Sequence, residues 1–211
     1  PARGVAGVVE RPRRMSLLIV GDDGVARCAW ATSAPDYVAY HDDEWGRRVR
    51  GERELFERLT LESFQSGLSW LTILRKREAF RAAFVGFEPD AVAALGAADV
   101  ERLMGDASIV RNRRKIEAAV MNARAVVELR ADGGLEALID TFPPAAHERP
   151  ATVADVVGSS DESTALAKEL KRRGFAHVGP TTCYSLMQAC GYVNDHAAGC
   201  VADDAIERLA G

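Results

Sequence analysis

The chain has 211 residues, of which 47% are hydrophobic and 27% charged, with a formal net charge of −4. That is enough apolar material for one substantial core, while no apolar run approaches the ~20 residues that cross a bilayer. The acidic balance argues against an indiscriminate nucleic-acid binder, which depends on a basic excess, but leaves room for a protein that touches few phosphates.

Residues 1–24 lack hydrophobic period and read as a disordered leader, with Met15 a candidate start and a single helical domain over residues 25–211. In "RPRRMSLLIVG" (residues 11–21), basic residues precede an apolar stretch too short for a signal segment, and no small-residue cleavage site follows. The expected location is the cytoplasm, where four cysteines rarely form disulfides. Next comes "CAWATSAPDYVAYHDDEWG" (residues 28–46), dense in Trp, Tyr, Cys and His.

Helical period then dominates, with apolar positions at Leu55 and Leu59; Trp70, Ile73 and Leu74; Val92 and Leu95; Ile116, Val120, Ala123 and Val127; Leu166 and Leu170. Strand alternation is nearly absent, so the expected class is all-α. Ser69 is placed to cap a helix at Trp70, Pro89 to start one, and "ADGG" (residues 131–134) to end one. "TFPPAAHERP" (residues 141–150) is the longest irregular stretch and is expected to separate two helical lobes.

Glu62 follows Leu55 by seven residues and Leu59 by three, so it shares their apolar stripe and faces inward. A buried carboxylate needs a partner or a task. A structural ion pair is the common answer. With Trp70 downstream and Trp30, Tyr37, Tyr40 and Trp45 upstream, the acid also suits a flat, electron-poor heterocycle that stacks on rings and donates hydrogen bonds. The basic runs at residues 75–81, 111–115 and 171–173 are either solvated helix faces or phosphate contacts.

Toward the end, Leu170 closes a helix, Gly174 offers a left-handed cap, Gly179-Pro180 makes a turn, and Thr181 or Thr182 opens the next helix. Such a hairpin presents backbone N–H groups to an anion such as a DNA phosphate, although the spacing fits an ordinary helical hairpin equally well. His147 and His177 are expected at the surface. Cys183 and Cys190 are expected in the core, since seven helical residues set them about 10 Å apart, beyond disulfide reach.

In "NDHAAGC" (residues 194–200), a helix would put His196 and Cys200 on one face. With Cys28 and His41 they make a closed Cys2His2 set typical of structural zinc, with no open position for a catalytic water. Spacing alone leaves four unrelated residues as the alternative.

The motifs "CAW", "YVAYHDDEWG", "LESFQSGLSW", "IVRNRRKI", "GFAHVGPTTCYSLMQACGYVNDH" and "HAAGC" together resemble the bacterial 3-methyladenine DNA glycosylase I family, within the helix-hairpin-helix DNA glycosylase superfamily. The resemblance runs over about residues 28–200. It implies one structural Zn2+ held by Cys28, His41, His196 and Cys200. It implies that Glu62 recognises the flipped methyladenine through its exocyclic amine, that Tyr40 and Trp70 hold the base, and that Trp30, Tyr37 and Trp45 complete the aromatic wall. The substrate it implies is double-stranded DNA carrying alkylated bases; the hairpin at Gly174, Gly179, Thr181 and Thr182 is then expected to grip phosphate, and action as a monomer is the simpler expectation.

Two departures stand out. Ser63 and Phe64 replace glycine and glutamine of some relatives, which bears on the pocket's shape. Asn194 occupies the place where most of the superfamily carry a catalytic aspartate, and adjacent Asp195 is expected to point about 100° away. A methylated adenine is already cationic and leaves as a neutral base, so little acid catalysis is required. No lysine is placed as a Schiff-base nucleophile, and the expected enzyme leaves an abasic site without cutting the strand. The rivals are a damage sensor without turnover and a zinc-dependent nucleoside hydrolase.

Overall fold

The computed structural model describes residues 16–146 and 148–202, and its first element is a strand. β1 (Leu18–Val20) pairs antiparallel with β2 (Ala26–Cys28), placing Leu18 opposite Cys28 and Val20 opposite Ala26. Gly24, at φ +75°, turns the connection, and the Asp23 carboxylate accepts from the Val25 amide at 3.0 Å. The expectation of a leader through residue 24 is therefore corrected for residues 16–24, and the all-α class gains a small sheet. Three-residue strands are too short to display a period of two, which is why the sequence hid them. His147 and residues 1–15 lie outside the described residues.

The remainder is helical: α1 (Pro35–Asp43), α2 (Glu52–Gln65), α3 (Trp70–Ala83), α4 (Pro89–Ala93), α5 (Ala97–Gly105), α6 (Arg113–Leu129), α7 (Gly134–Asp140), α8 (Asp161–Arg172) and α9 (Pro180–Ala189). The local signals act as expected. Ser69 Oγ accepts from the Thr72 amide at 3.2 Å to cap α3, and prolines open α1, α4 and α9. Among the described residues no helix is long and apolar enough to cross a membrane.

α2 lies at the centre. From Leu59 to Phe64 every residue is buried, because α3, α6, α7 and α9 all pack around it. One continuous apolar core runs from Tyr40 to Val193, so the irregular stretch after α7 joins two groups of helices that share it. Phe64 belongs to this core, with its ring 4.7 Å from that of Phe80 and 5.9 Å from that of Phe84. A second, smaller cluster of Cys28, Ala197, Cys200 and Ala202, backed by Leu17 and Leu18, ties the two ends of the described chain together.

Candidate active site and metal cluster

Trp30, Tyr37 and Trp45 gather in one aromatic cluster, with Tyr37 and Trp45 at 4.9 Å and 5.0 Å from Trp30 by ring centroids. Tyr40 and Trp70 face each other at 5.3 Å with their planes tilted by 44°. All five rings and Glu62 line one cavity of about 230 Å³. Trp30, 37% exposed, marks its rim, and Glu62, 5% exposed, its floor. Leu17, from the stretch first read as leader, contributes to the wall.

Two polar atoms here are buried without a hydrogen-bond partner among the described residues: Glu62 Oε2 and Trp70 Nε1. Burial pushes the Glu62 carboxyl up to about 8, against the pull of the nearby Arg58 guanidinium. Arg58 is held in turn by Glu44, at 2.8 Å, which also binds Arg77 at 2.5 Å. Burial works to raise the Glu44 carboxyl, yet the hydrogen bonds from Arg77 and Arg58 win and bring it down to about 2. An orphaned acid and an orphaned N–H in an aromatic slot suit a flat ligand with donors and an acceptor on its edge.

The cavity is also lined by Gln65, Ser185, Gln188 and Asp195. Asp195 Oδ2 accepts from the Tyr184 hydroxyl at 2.7 Å and from Gln188 Nε2 at 2.6 Å. Asn194 turns the other way, its Oδ1 accepting from the His196 amide at 3.2 Å and lying 3.0 Å from His196 Nδ1. Asp195 therefore reaches the cavity and Asn194 does not, a correction to the expectation that the acid points away. Residues 194–197 lie outside any helix, so the 100° step between neighbouring side chains does not apply to them.

The same backbone carries the second centre. Ligand atoms of Cys28, His41 and Cys200, all buried, lie within 4.8 Å of one another, a group able to hold a metal ion. His196 is fully buried beside them, its ring 5.0 Å from that of His41 and its Nε2 without a hydrogen-bond partner among the described residues. Each imidazole has its Nδ1 engaged, His41 with Asp42 at 2.7 Å and His196 with Asn194, which fixes the ring as metal-ligating histidines require. Burial and the neighbouring His41 push the His196 imidazole down to about 4. Cys28 hydrogen-bonds Cys200, holding the Cys200 thiol below its ordinary value and Cys28 above. Cys200 does not share a helix with His196. A turn closed by the Cys200 amide on Ala197 O at 2.9 Å, with Gly199 at φ +88°, brings it round.

Between α8 and α9, Gly174 adopts φ +90° as the cap. α8 continues past Leu170 to Arg172, and α9 opens at Pro180 with Gly179 before it, so Thr181 and Thr182 sit in its first turn. Asn122 of α6 clamps the loop, accepting from the Ala176 amide at 2.7 Å and donating to its carbonyl at 3.1 Å. Ser63 of α2 donates to the His177 carbonyl at 3.2 Å, and His177 itself is exposed at φ +55°.

Residues 30–203 match the family model described as methyladenine glycosylase. The chain belongs to the methyladenine glycosylase family. It is 47% identical over 179 residues to DNA-3-methyladenine glycosylase 1 of Escherichia coli K12, covering 82% of this chain and 95% of that protein. The DNA-3-methyladenine glycosylase of Haemophilus influenzae is 39% identical over 178 residues, covering 82% and 96%. A crystal structure of 3-methyladenine DNA glycosylase I superposes with a TM-score of 0.80 at 46% identity, covering 83% of this chain and 98% of that one. A structure of 3-methyladenine recognition by the Staphylococcus aureus enzyme gives 0.78 at 37% identity, covering 83% and 95%.

In this methyladenine glycosylase the basic runs are largely built into the fold. Arg75 pairs with Asp36 at 2.7 Å, Arg81 with Glu57 at 2.7 Å, and Arg113 with Glu101 at 2.7 Å. Arg172 and Arg173 share Glu169, and Lys115 is buried with its Nζ on the Phe64 and Ser66 carbonyls at 2.9 Å and 2.5 Å. Reading by motif missed Ser185 and Gln188. Their signal is the polar stripe Thr181, Ser185, Gln188 at helical spacing within an otherwise apolar α9.

Proposed function

We propose that this chain excises 3-methyladenine from alkylated double-stranded DNA, hydrolysing the N-glycosidic bond of a flipped nucleotide and leaving an abasic site with the strand intact. The observation that carries this reading is the pair of unpartnered polar atoms, Glu62 Oε2 and Trp70 Nε1, on residues that line a cavity walled by aromatic rings. Tyr40 and Trp70 hold the base, with Trp30, Tyr37 and Trp45 completing the aromatic wall. Glu62 accepts a hydrogen bond from the exocyclic amine. The positive charge of the base favours the ionised form of an acid that burial has raised to about 8, so the carboxyl releases its proton to solvent as the base is captured. Among the described residues no lysine lines the cavity, in keeping with hydrolysis and no strand cleavage.

Cys28, His41, His196 and Cys200 supply two thiols and two imidazole nitrogens, a donor set that fits one structural zinc ion. When bound, that ion pins β2, α1 and the turn at residues 197–200 to one another. The hairpin at Gly174, Gly179, Thr181 and Thr182 grips a phosphate of the DNA. The pocket is complete within one helical domain, so the chain acts as a monomer, and its free buried thiols suit the cytoplasm.

The decisive experiment is single-turnover release of free base from methylated duplex DNA. The wild-type chain should liberate 3-methyladenine, and Glu62→Gln should cut the rate by roughly 100-fold or more at unchanged zinc content. Absence of release by the wild type, or an equal rate in the variant, overturns the reading.

A further inference from the structure

We propose that Asp195 is the carboxylate that serves the sugar: it faces C1′ of the flipped nucleotide, steadies the positive charge there as the bond breaks, and accepts the proton of the attacking water. The inference rests on the reading above that the cavity receives a methylated base.

The cavity holds two acids at different depths. Glu62 is 5% exposed on its floor, whereas Asp195 is partly exposed on its wall. A flipped nucleotide enters base first while its deoxyribose stays joined to the DNA backbone outside. The deep acid therefore meets the base and the shallow acid meets the sugar.

Asp195 is also oriented for such a task. Tyr184 and Gln188 both donate to its Oδ2, at 2.7 Å and 2.6 Å, and both stand on α9. The helix whose first turn would grip the phosphate thus also aims the carboxylate. Asn194 does not compete, because its amide is turned to His196. Two acids in unlike surroundings can divide the work, one recognising and one stabilising.

The step balances without any further reagent. The bond from C1′ to the ring nitrogen breaks with its electron pair leaving on the base, which neutralises the methyladenine cation. Positive charge passes to the sugar. Water forms the new C1′–O bond, and its proton goes to Asp195 and on to solvent. One cationic nucleotide and one water yield a neutral base, an abasic sugar and one proton.

The test uses the purified full chain and three duplexes: methylated DNA, DNA bearing a pyrrolidine abasic analogue with a cationic ring nitrogen, and DNA bearing a neutral tetrahydrofuran analogue. Asp195→Asn should slow base release by about 100-fold, the lower end of what a positioned acid or base contributes. It should also lose the wild type's preference for the cationic analogue while binding the neutral one within about two-fold. A rate within about three-fold of wild type, or an unchanged preference, overturns the proposal. Equal weakening on both analogues overturns it too, since a purely structural role predicts that. Tyr184→Phe and Gln188→Leu, which keep the acid and remove one donor each, should show a smaller loss of the same preference, and they decide the matter if Asp195→Asn fails to fold. If the wild type itself releases no base, the glycosylase reading falls and takes this proposal with it; wild-type release with an unaltered Asp195→Asn removes the proposal alone.

Discussion

Glu62 is held protonated by its surroundings, and that has a measurable cost in stability. Its carboxyl sits at about 8 in the folded chain against an ordinary value of 4.5. Between those values the native state keeps a proton that the unfolded chain has released, so stability falls as pH rises through that window and levels off above it. Glu62→Gln, which never ionises, should therefore match the wild type near pH 4 and exceed it near pH 9 by a few kcal/mol, read from urea midpoints at the two pH values. A less stable variant at high pH would mean that the Arg58 cation, not desolvation, governs the site. The inward turn of this residue was legible because Leu59 and Leu55 lie one and two helical turns before it. The directions of Asn194 and Asp195 were not, since no periodicity encodes a non-helical segment between two turns. Ser63 also stayed silent: the hydrogen bond it makes reaches across 114 residues of sequence.

At the scale of elements, α2 carries Glu62 near its C-terminal end, and α6 holds that end in place. Lys115 Nζ donates to the Phe64 and Ser66 carbonyls, standing in for the amides that a terminating helix lacks. Lys115→Met would leave two buried or half-buried acceptors unsatisfied and should destabilise the fold by about 2–4 kcal/mol. Denaturant titration measures that loss, and a value near zero would show that solvent takes over the cap. Helix starts and stops were readable from Ser69, Pro89 and Gly174, because capping is local chemistry. The β1–β2 hairpin was not, because its three-residue strands are specified by contacts with Cys200 and Ala197 far along the chain.

For the whole molecule, the Cys28–His41–Cys200 cluster is where the beginning and the end of the described chain meet. A chelator that strips a bound ion should lower the melting temperature and open residues 16–33 and 190–202 to protease, with the α2–α6 core still cooperative. Unchanged melting and unchanged cleavage after verified metal loss would make the cluster dispensable to the fold. The resemblance gave four ligands as a list. The structure brings three of them, Cys28, His41 and Cys200, together where a strand, a helix and a turn meet, and the Arg27–Asp42 ion pair at 2.9 Å joins the same strand and helix.

Residues 194–196 alternate in direction, amide and imidazole to one side and acid to the other. A deletion or insertion of a single residue between Val193 and Ala197 would invert that order, presenting the acid to the thiols and the amide to the cavity. Changes of length there should disable two centres at once, while a point substitution can injure one and spare its neighbour.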